Sequence, residues 1–378
     1  MRDFLAEARA LHSVSMVLDG HVDTPLRFLD EAWEWTSNSL DGGQLSGKDA
    51  ESGGLDGAFF AAWPDPTEWE GRCAERTRNL IRAVHDQAAK HPAALTVCRT
   101  APEIRSAKKN GVFAAMVGVE GGHAIEENLD ILREFFASGA RYMTLTWAKS
   151  LEWCGSSGDT DSSRGLTAFG RDVVREMNRI GMMVDVSHVS DAAFWDVLDT
   201  SSVPVIASHS SSRAICGATR NLTDEMALAL AQRGGVIMMN FYAAFISDRW
   251  KAAYLAQRPE VQQALAPMKA EYRQRHEPVP YTAEVKTIRR YARTLPPAPL
   301  SLLVDHFDHL LRLVGPSHVG IGTDFDGMAL SVQGMESAAD LPKLTAALLE
   351  RGWKDQELKG VLGENLIRVM ERTQDISS

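Results

Sequence analysis

The chain has 378 residues, 44% of them hydrophobic, which is enough for one large core or two modest ones. Its formal net charge of −10 argues against nucleic acid or an anionic membrane surface as a partner. Residues 1–20 lack the apolar core of a signal peptide, and no apolar run approaches the roughly 20 residues of a membrane-spanning helix. The four cysteines have no Cys-x-x-Cys spacing and are expected to be reduced. These features predict a soluble, cytoplasmic protein.

Eight apolar runs have the length and composition of buried strands, and most are separated by segments with helical periodicity. This alternation predicts parallel strands joined by right-handed crossovers, and eight such units can close into an α/β fold of the (β/α)₈ TIM-barrel type. An open doubly wound sheet is the alternative, but no Gly-x-Gly-x-x-Gly follows the first strand. The predicted strands are residues 17–23, 57–63, 112–119, 142–146, 182–187, 203–208, 235–240 and 319–323. The predicted helices are residues 3–11, 67–89, 101–109, 129–137, 166–180, 191–198, 223–232, 340–351 and 355–372.

Two segments interrupt the alternation of strands and helices. Residues 27–54 are rich in Trp, Ser, Asp and Gly and form either a functional loop or a poorly ordered one. Residues 246–300 are polar, rich in Arg, and helical in spacing over 250–265. We interpret this second segment as an insertion between strands seven and eight, serving as a lid, as a subunit contact of a homodimer, or as both. The whole chain, 1–378, is then a single domain.

The first predicted strand ends in the sequence DGHVDTP, which carries a candidate metal grip. Side chains two residues apart on a strand point to the same face, so His21 and Asp23 lie side by side. An imidazole nitrogen and a carboxylate oxygen in this arrangement can hold a divalent cation. Pro25 has no N–H for a strand ladder, so the strand is expected to stop there with both side chains at its C-terminal end.

Four other predicted strands also end in a histidine or an acid, namely Glu120, His188, His209 and Asp324. In a (β/α)₈ barrel the C-terminal strand ends form one ring, so these side chains are expected to converge with His21 and Asp23. Glu120 is able to bridge two cations, and a pair of cations would acidify a trapped water to hydroxide. Asp324 would then accept the proton and return it.

Other charged residues have competing interpretations. Arg220, in the loop after the sixth strand, is suited to hold a substrate carboxylate by two parallel hydrogen bonds, with Arg213 as its rival. His306 and His309 are predicted to lie on a solvated helix face. His123 is either a partner of the metal site or a turn residue.

As a set, the motifs of this chain resemble the membrane dipeptidase (renal dipeptidase) family of metallopeptidases. The resemblance covers nearly the whole chain through DGHVDTP, GVEGGHAI, RYMTLT, VDVSHVSD, ASHSSSRAI with TRN, MMNFY, DHFDHL and GIGTDFDG. It implies a (β/α)₈ barrel with two zinc ions. By this likeness His21 and Asp23 bind one zinc, His188 and His209 bind the other, and Glu120 bridges them. Asp324 is the implied catalytic acid/base and Arg220 the implied carboxylate-binding residue.

Two positions depart from that family pattern. The family has a histidine after the YMTLT strand, thought to hold the scissile carbonyl oxygen or the tetrahedral intermediate, where this chain has Trp147. An indole N–H donates one hydrogen bond but carries no charge. After MMNFY, which contains Tyr242, the family often has a further tyrosine, where this chain has Phe245. Trp147 and Tyr242 are expected to contact the substrate, with Trp147 altering which substrates fit.

The sequence therefore predicts a binuclear zinc hydrolase that cleaves a dipeptide or a similar small amide bearing a carboxylate. Bridging hydroxide would attack the carbonyl while Asp324 moves the proton to the leaving nitrogen. Two alternatives stay open at this point. One is an amidohydrolase acting on N-acyl amino acids, lactams or lactones, and the other is a catalytically weak metal-binding homologue.

Overall fold

Eight parallel strands form a closed ring in the computed structural model, which describes residues 2–37, 43–159, 161, 163–292 and 294–375. The strands are β1 Leu18–Val22, β2 Gly57–Ala62, β3 Leu95–Val97, β4 Phe113–Glu120, β5 Ala140–Thr144, β6 Met183–Asp185, β7 Ile206–Ala207, β8 Val236–Met239 and β9 Val319–Ile321. They pair in the order β1-β2-β4-β5-β6-β7-β8-β9, while β3 pairs with β4 beside the ring. The predicted (β/α)₈ barrel is thereby confirmed.

The ring closes where the first and last strands meet, just beyond the end of β1. The backbone N–H of Asp23 donates to the carbonyl of Phe325 at 2.8 Å. The N–H of Asp324 donates to the carbonyl of His21 at 3.0 Å. Two candidate metal-binding residues and the candidate acid/base therefore lie on the seam of the barrel.

Alternating residues of the strands fill two separate apolar layers. On β4, Ala114 and Met116 belong to an inner cluster that also contains Phe59, Tyr142 and Met238. Their neighbours along β4 belong to the larger cluster between the strands and the helices. Every residue of β4 is buried, as the unbroken apolar run predicts for a strand covered on both faces. The inner layer fills the barrel below the C-terminal strand ends, so apolar side chains lie beneath any site at those ends.

Helices surround the ring and follow most strands. Several begin at side-chain caps, for example Thr100 before α5, where a reciprocal capping box with Glu103 is formed. Others stop at glycine, as at Gly181 after α7, whose φ of +82° suits a residue without Cβ. The helices are α1 Phe4–Val14, α2 Pro25–Asp30, α3 Gly47–Gly53, α4 Cys73–Lys90, α5 Ala101–Lys109, α6 Leu129–Ala137, α7 Ala168–Ile180, α8 Asp191–Thr200, α9 Asp224–Gln232, α10 Ala243–Ile246, α11 Asp248–Arg275, α12 Tyr281–Ala292, α13 Leu300–Val314, α14 Leu341–Glu350, α15 Asp355–Lys359 and α16 Asn365–Asp375.

The structure differs from the sequence prediction in two places near the first strands. Strand β3 was not predicted, because three residues are too few to show an alternating pattern. It pairs with residues 113–115 of β4, the part that β5 leaves free because the β4–β5 pairing begins at Val117. The predicted loop at 27–54 contains the end of the short helix α2 and all of α3, and its residues 38–42 lie outside the described part of the chain.

The segment between β8 and β9 contains α11, which is longer than the predicted helix at 250–265 and includes Pro259 and Pro267. The next helix, α12, contacts loops at the C-terminal end of the barrel. The hydroxyl of Tyr281 donates to the carbonyl of Met328 at 2.6 Å, and Thr282 donates to Glu31. Within the described residues, no helix combines the length and the apolar character that crossing a bilayer requires.

The prediction that His306 lies on a solvated helix face is wrong. Its side chain is fully buried, because this face of α13 packs against the loops after β7 and β8. The ring accepts a hydrogen bond from the N–H of Ser212 at 3.1 Å and bonds to the carbonyl of Ile246 at 3.1 Å. His309 is partly buried and contacts the Asp224 carboxylate at 2.8 Å.

Because His306 is buried, the protein should lose stability in mild acid. Burial lowers the pKa of His306 to about 4, whereas an unfolded histidine has a pKa near 6.5. Between these values the unfolded chain takes up a proton that the folded chain does not, so this residue alone lowers the free energy of unfolding by up to about 3 kcal/mol as pH falls from 6.5 to 4. Urea unfolding at several pH values should show a shallower dependence in His306→Gln than in the control His309→Gln; equal slopes would contradict this expectation.

Candidate active site

The six predicted ligand and acid side chains lie together at the C-terminal end of the barrel. His21 is in β1 and Asp23 follows that strand directly, while Glu120 is the last residue of β4. The other three stand two or three residues beyond a strand, His188 after β6, His209 after β7 and Asp324 after β9. The first three and His209 are buried, and His188 and Asp324 are partly buried.

One half of the cluster surrounds His21. Its Nε2 lies 3.4 Å from Asp23 Oδ2 and 3.5 Å from Glu120 Oε2. The candidate ligand atoms of His21, Asp23 and Asp324 all lie within 4.8 Å of one another. This half therefore offers one nitrogen and up to three carboxylates to a cation.

The other half is formed by the second pair of histidines. His188 Nε2 lies 2.9 Å from His209 Nε2 and 2.9 Å from Glu120 Oε1. His209 Nε2 is 3.5 Å from the same Glu120 oxygen. Glu120 thus places one carboxylate oxygen in each half, which is the arrangement that a carboxylate bridging two cations requires.

Several nitrogen and oxygen atoms in the cluster are placed where a metal ion could bind them. His21 Nε2 and Asp23 Oδ1 are buried and accept or donate no hydrogen bond among the described residues. A buried polar atom without a partner costs about 1–3 kcal/mol unless something binds it. The Nε2 atoms of His188 and His209 face each other, and a cation between them would use both lone pairs. The residues present therefore fit a site for divalent cations with nitrogen and oxygen ligands.

Burial and neighbouring charges shift the pKa of one side chain in each half of the cluster. Burial and the nearby Arg220 guanidinium lower the pKa of His188 to about 4, so this ring is neutral and free to coordinate at neutral pH. Burial and the carboxylate of Asp23 raise the pKa of Asp324 to about 8. A carboxyl group with that pKa exchanges protons near neutrality, which is the property of a general acid/base.

The backbone is strained at two of these positions. His188 has φ = +73° and Asp324 has φ = +66°, values that residues with a Cβ rarely adopt. Such strain concentrates where a side chain must be held in a particular direction. Close to Asp324, a Cβ added to Gly327 would lie 2.1 Å from Asp23 Oδ2 and 2.6 Å from Asp324 Oδ1. Only glycine lets the chain pass so close to both carboxylates.

The two candidate arginines have different surroundings. Arg213 forms a bidentate ion pair with Asp191, at 2.7 and 2.8 Å. Arg220 makes only long contacts, 3.3 Å to the carbonyl of His209 and 3.5 Å to the hydroxyl of Ser210, and its buried Nε has no partner among the described residues. The guanidinium of Arg220 is therefore the one available to an anionic ligand.

Aromatic side chains border the cluster above β4. Trp63 follows β2 and Trp147 follows β5, the strands on either side of the one that carries Glu120. Their rings meet with centroids 4.7 Å apart at an angle of 53°. The buried Nε1 of Trp63 has no hydrogen-bond partner in the described part of the chain. This side of the site is thus apolar, with one unused N–H donor.

Tyr242 and Phe245 lie near Arg220. Their rings pack edge to face with centroids 5.0 Å apart, and the Arg220 guanidinium lies 5.3 Å from the centre of the Phe245 ring. The backbone N–H of Tyr242 donates to Asn240 Oδ1 at 2.7 Å, and Asn240 Nδ2 donates to Asp324 Oδ2 at 3.0 Å. Tyr242 is therefore connected to the cluster through Asn240.

Three further residues of the site were not predicted from the sequence, namely Asn240, Tyr142 and Trp63. Asn240 ends the predicted seventh strand, but only histidines and acids were counted at strand ends. The hydroxyl of Tyr142 lies 2.7 Å from His21 Nδ1. The alternation of side chains along β5 could have predicted that Tyr142 points into the barrel. His123, predicted to be either a partner of the metal site or a turn residue, bonds to the carbonyl of Pro64 at 2.8 Å.

Comparison with known proteins gives matches over nearly the whole chain. The model of the membrane dipeptidase family, peptidase family M19, matches residues 5–378. The protein named Dipeptidase 3 from Rattus norvegicus is 32% identical over 98% of this chain and 67% of that protein. A metallopeptidase from Rhodobacter sphaeroides, solved with a phosphinate mimic of the dipeptide L-Ala-D-Ala, has a TM-score of 0.76 at 26% identity, covering 95% of this chain and 99% of that one.

The probable dipeptidase PvdM from Pseudomonas aeruginosa superposes with a TM-score of 0.85 at 23% identity, covering 99% of both chains. At this identity the likeness shows the fold, and it agrees with the barrel described above. The family match itself spans all the strand ends that carry the six clustered side chains. This chain belongs to the membrane dipeptidase family of metallopeptidases.

Proposed function

We propose that this chain is a zinc-dependent dipeptidase, which cleaves the amide bond of dipeptides or of similar small amides with a free carboxylate. The observation that carries the proposal is the convergence of three imidazoles and three carboxylates at the C-terminal end of the barrel. The Rhodobacter relative bound to a dipeptide mimic supports the class of substrate.

His21 and Asp23 would hold one zinc ion, His188 and His209 would hold a second, and Glu120 would bind both. Zinc binds both imidazole nitrogen and carboxylate oxygen, and other divalent metals with similar ligand preferences also fit. When bound, such a pair acidifies a water molecule and polarises the scissile carbonyl.

Asp324 is the proposed general base and acid. It lies beside Asp23, and Asn240 holds one of its oxygens in place. From this position its carboxylate can take a proton from the attacking water and deliver it to the leaving nitrogen. Without that delivery the amine would have to leave as an anion.

Arg220 is proposed to bind the terminal carboxylate of the substrate. Removing it should therefore weaken binding of substrates with that group and spare those without it. For Arg220→Ala we expect KM to rise by about 10–100-fold for free dipeptides, because one charge-assisted hydrogen-bond pair is lost, and to change little for C-terminally amidated analogues. Steady-state kinetics on both substrate types measures this.

Arg213→Ala is the matched control for that experiment, since Arg213 is occupied by Asp191. It should leave KM for both substrate types near the wild-type value. Equal increases for free and amidated substrates in Arg220→Ala would show that Arg220 does not read the carboxylate.

Metal analysis combined with a substrate panel tests the proposed function. Zinc-loaded protein should contain two ions per chain and hydrolyse L,L or L,D dipeptides. Turnover of N-acyl amino acids, lactams or lactones instead would favour the second candidate, an amidohydrolase of non-peptide bonds. The packed indole rings of Trp63 and Trp147 support this candidate, because they give one side of the site an apolar surface. Bound zinc without turnover of any panel member would reduce the site to metal binding alone.

A further inference from the structure

A buried carboxylate lies behind one of the candidate metal-binding histidines. Asp185, the last residue of β6, is fully buried and accepts four hydrogen bonds. Its Oδ1 accepts from the N–H groups of Ser187 at 3.0 Å and Ser208 at 2.9 Å. Its Oδ2 accepts from the hydroxyls of Thr144 and Ser208, both at 2.5 Å. All four lone-pair positions of this carboxylate are therefore used by donors.

The same arrangement fixes the hydrogen-bond direction at His209. The hydroxyl oxygen of Ser208 lies 2.7 Å from His209 Nδ1. A hydroxyl has a single hydrogen, and Ser208 gives it to Asp185, because a carboxylate is a stronger acceptor than an imidazole nitrogen. The contact with His209 can then form only if Nδ1 carries a hydrogen and donates it. This leaves the lone pair on Nε2, the atom that faces His188 and Glu120.

The other two histidines of the cluster lack such support. His21 Nδ1 contacts the neutral hydroxyl of Tyr142 at 2.7 Å. His188 Nδ1 is buried and has no hydrogen-bond partner within the described residues. Among the described residues, His209 is thus the one member of the three whose Nδ1 is linked to a carboxylate, and the link runs through Ser208.

We infer that Asp185 and Ser208 are positioning residues, which hold His209 in the Nδ1–H form and so make its Nε2 a stronger metal ligand. The inference rests on the proposed metal centre. The affinity for the ion at His188 and His209 would then depend on Asp185 and Ser208, whereas the affinity for the other ion would not. Outer partners of this kind typically change metal affinity by about 10–100-fold.

Zinc titration of the metal-free full chain, in competition with a chromophoric chelator, tests the inference. In Ser208→Ala we expect one of the two binding steps to weaken by about 10–100-fold while the other keeps its wild-type affinity. Ser212→Ala is the matched control, because the Ser212 hydroxyl is also buried in the loop after β7 but has no hydrogen-bond partner among the described residues. It should leave both steps unchanged.

Long-range ¹H–¹⁵N spectra of the zinc-loaded wild-type protein give a second readout that needs no variant. His209 should show a protonated Nδ1 and a metal-bound Nε2, and the opposite assignment would overturn the inference. Unchanged zinc affinity in folded Ser208→Ala would overturn it as well, while leaving the proposed dipeptidase intact. Failure of the wild-type chain to bind zinc would instead refute the proposed metal centre.

Discussion

Asp324→Asn should lower kcat for dipeptide hydrolysis by about 10²–10⁴-fold, the range expected when a general acid/base is removed. Asparagine has nearly the same shape, so the contact with Asn240 can be kept while proton transfer is lost. Zinc content should stay at the wild-type value, because the proposed ligands of both ions are untouched. Stopped-flow or steady-state assays together with metal analysis of the same sample measure both quantities.

Asp308→Asn provides the control for that variant. It makes the same chemical change in α13, where Asp308 bonds to Arg312 and Trp353 away from the cluster. Its kcat should match the wild type within a factor of about two, since Asp308 bonds to residues outside the cluster. If Asp324→Asn lost zinc along with turnover, Asp324 would be a ligand and the proton would have to move through another group.

Glu120→Gln should abolish the proposed binuclear centre. The amide keeps the shape of the side chain but loses the charge and one of the two oxygens, which lie 3.5 Å from His21 Nε2 and 2.9 Å from His188 Nε2. The loss of zinc affinity should exceed the roughly 10–100-fold typical of an outer partner, and turnover should fall at least as far as in Asp324→Asn. Equilibrium dialysis against buffered zinc gives the stoichiometry.

Glu134→Gln is the matched change on the surface, where Glu134 pairs with Arg78 on α4. It should retain two ions and full activity. Two tightly bound ions in Glu120→Gln would show that each half of the cluster holds its metal independently and that the carboxylate bridge is not needed.

Much of the barrel could be predicted because local signals and tertiary packing agree. The helices at 101–109 and 129–137 have the predicted bounds, since side-chain caps mark where each begins. Strand ends in a (β/α)₈ barrel meet by topology, so residues as distant as His21 and Asp324 could be grouped before their distances were known. The predicted cytoplasmic location and homodimer stay predictions.

What could not be predicted depends on partners that are distant in sequence. The choice between Arg213 and Arg220 depends on Asp191, whose carboxylate occupies the first of them. The burial of His306 depends on the loops after β7 and β8, which amphipathic spacing within α13 does not reveal. Contacts of this kind follow from the packing of loops, for which a single sequence carries no periodic signal.

The seam between β1 and β9 has a consequence for how activity is acquired during folding. The hydrogen bonds that join Asp23 to Phe325 and Asp324 to His21 connect backbone groups that lie some 300 positions apart in the sequence. A nascent chain that still lacks its final strand cannot place the proposed acid/base, Asp324, beside the proposed zinc ligands His21 and Asp23. Hydrolysis therefore begins only once synthesis of the barrel is complete, so the appearance of activity indicates that the native topology has formed.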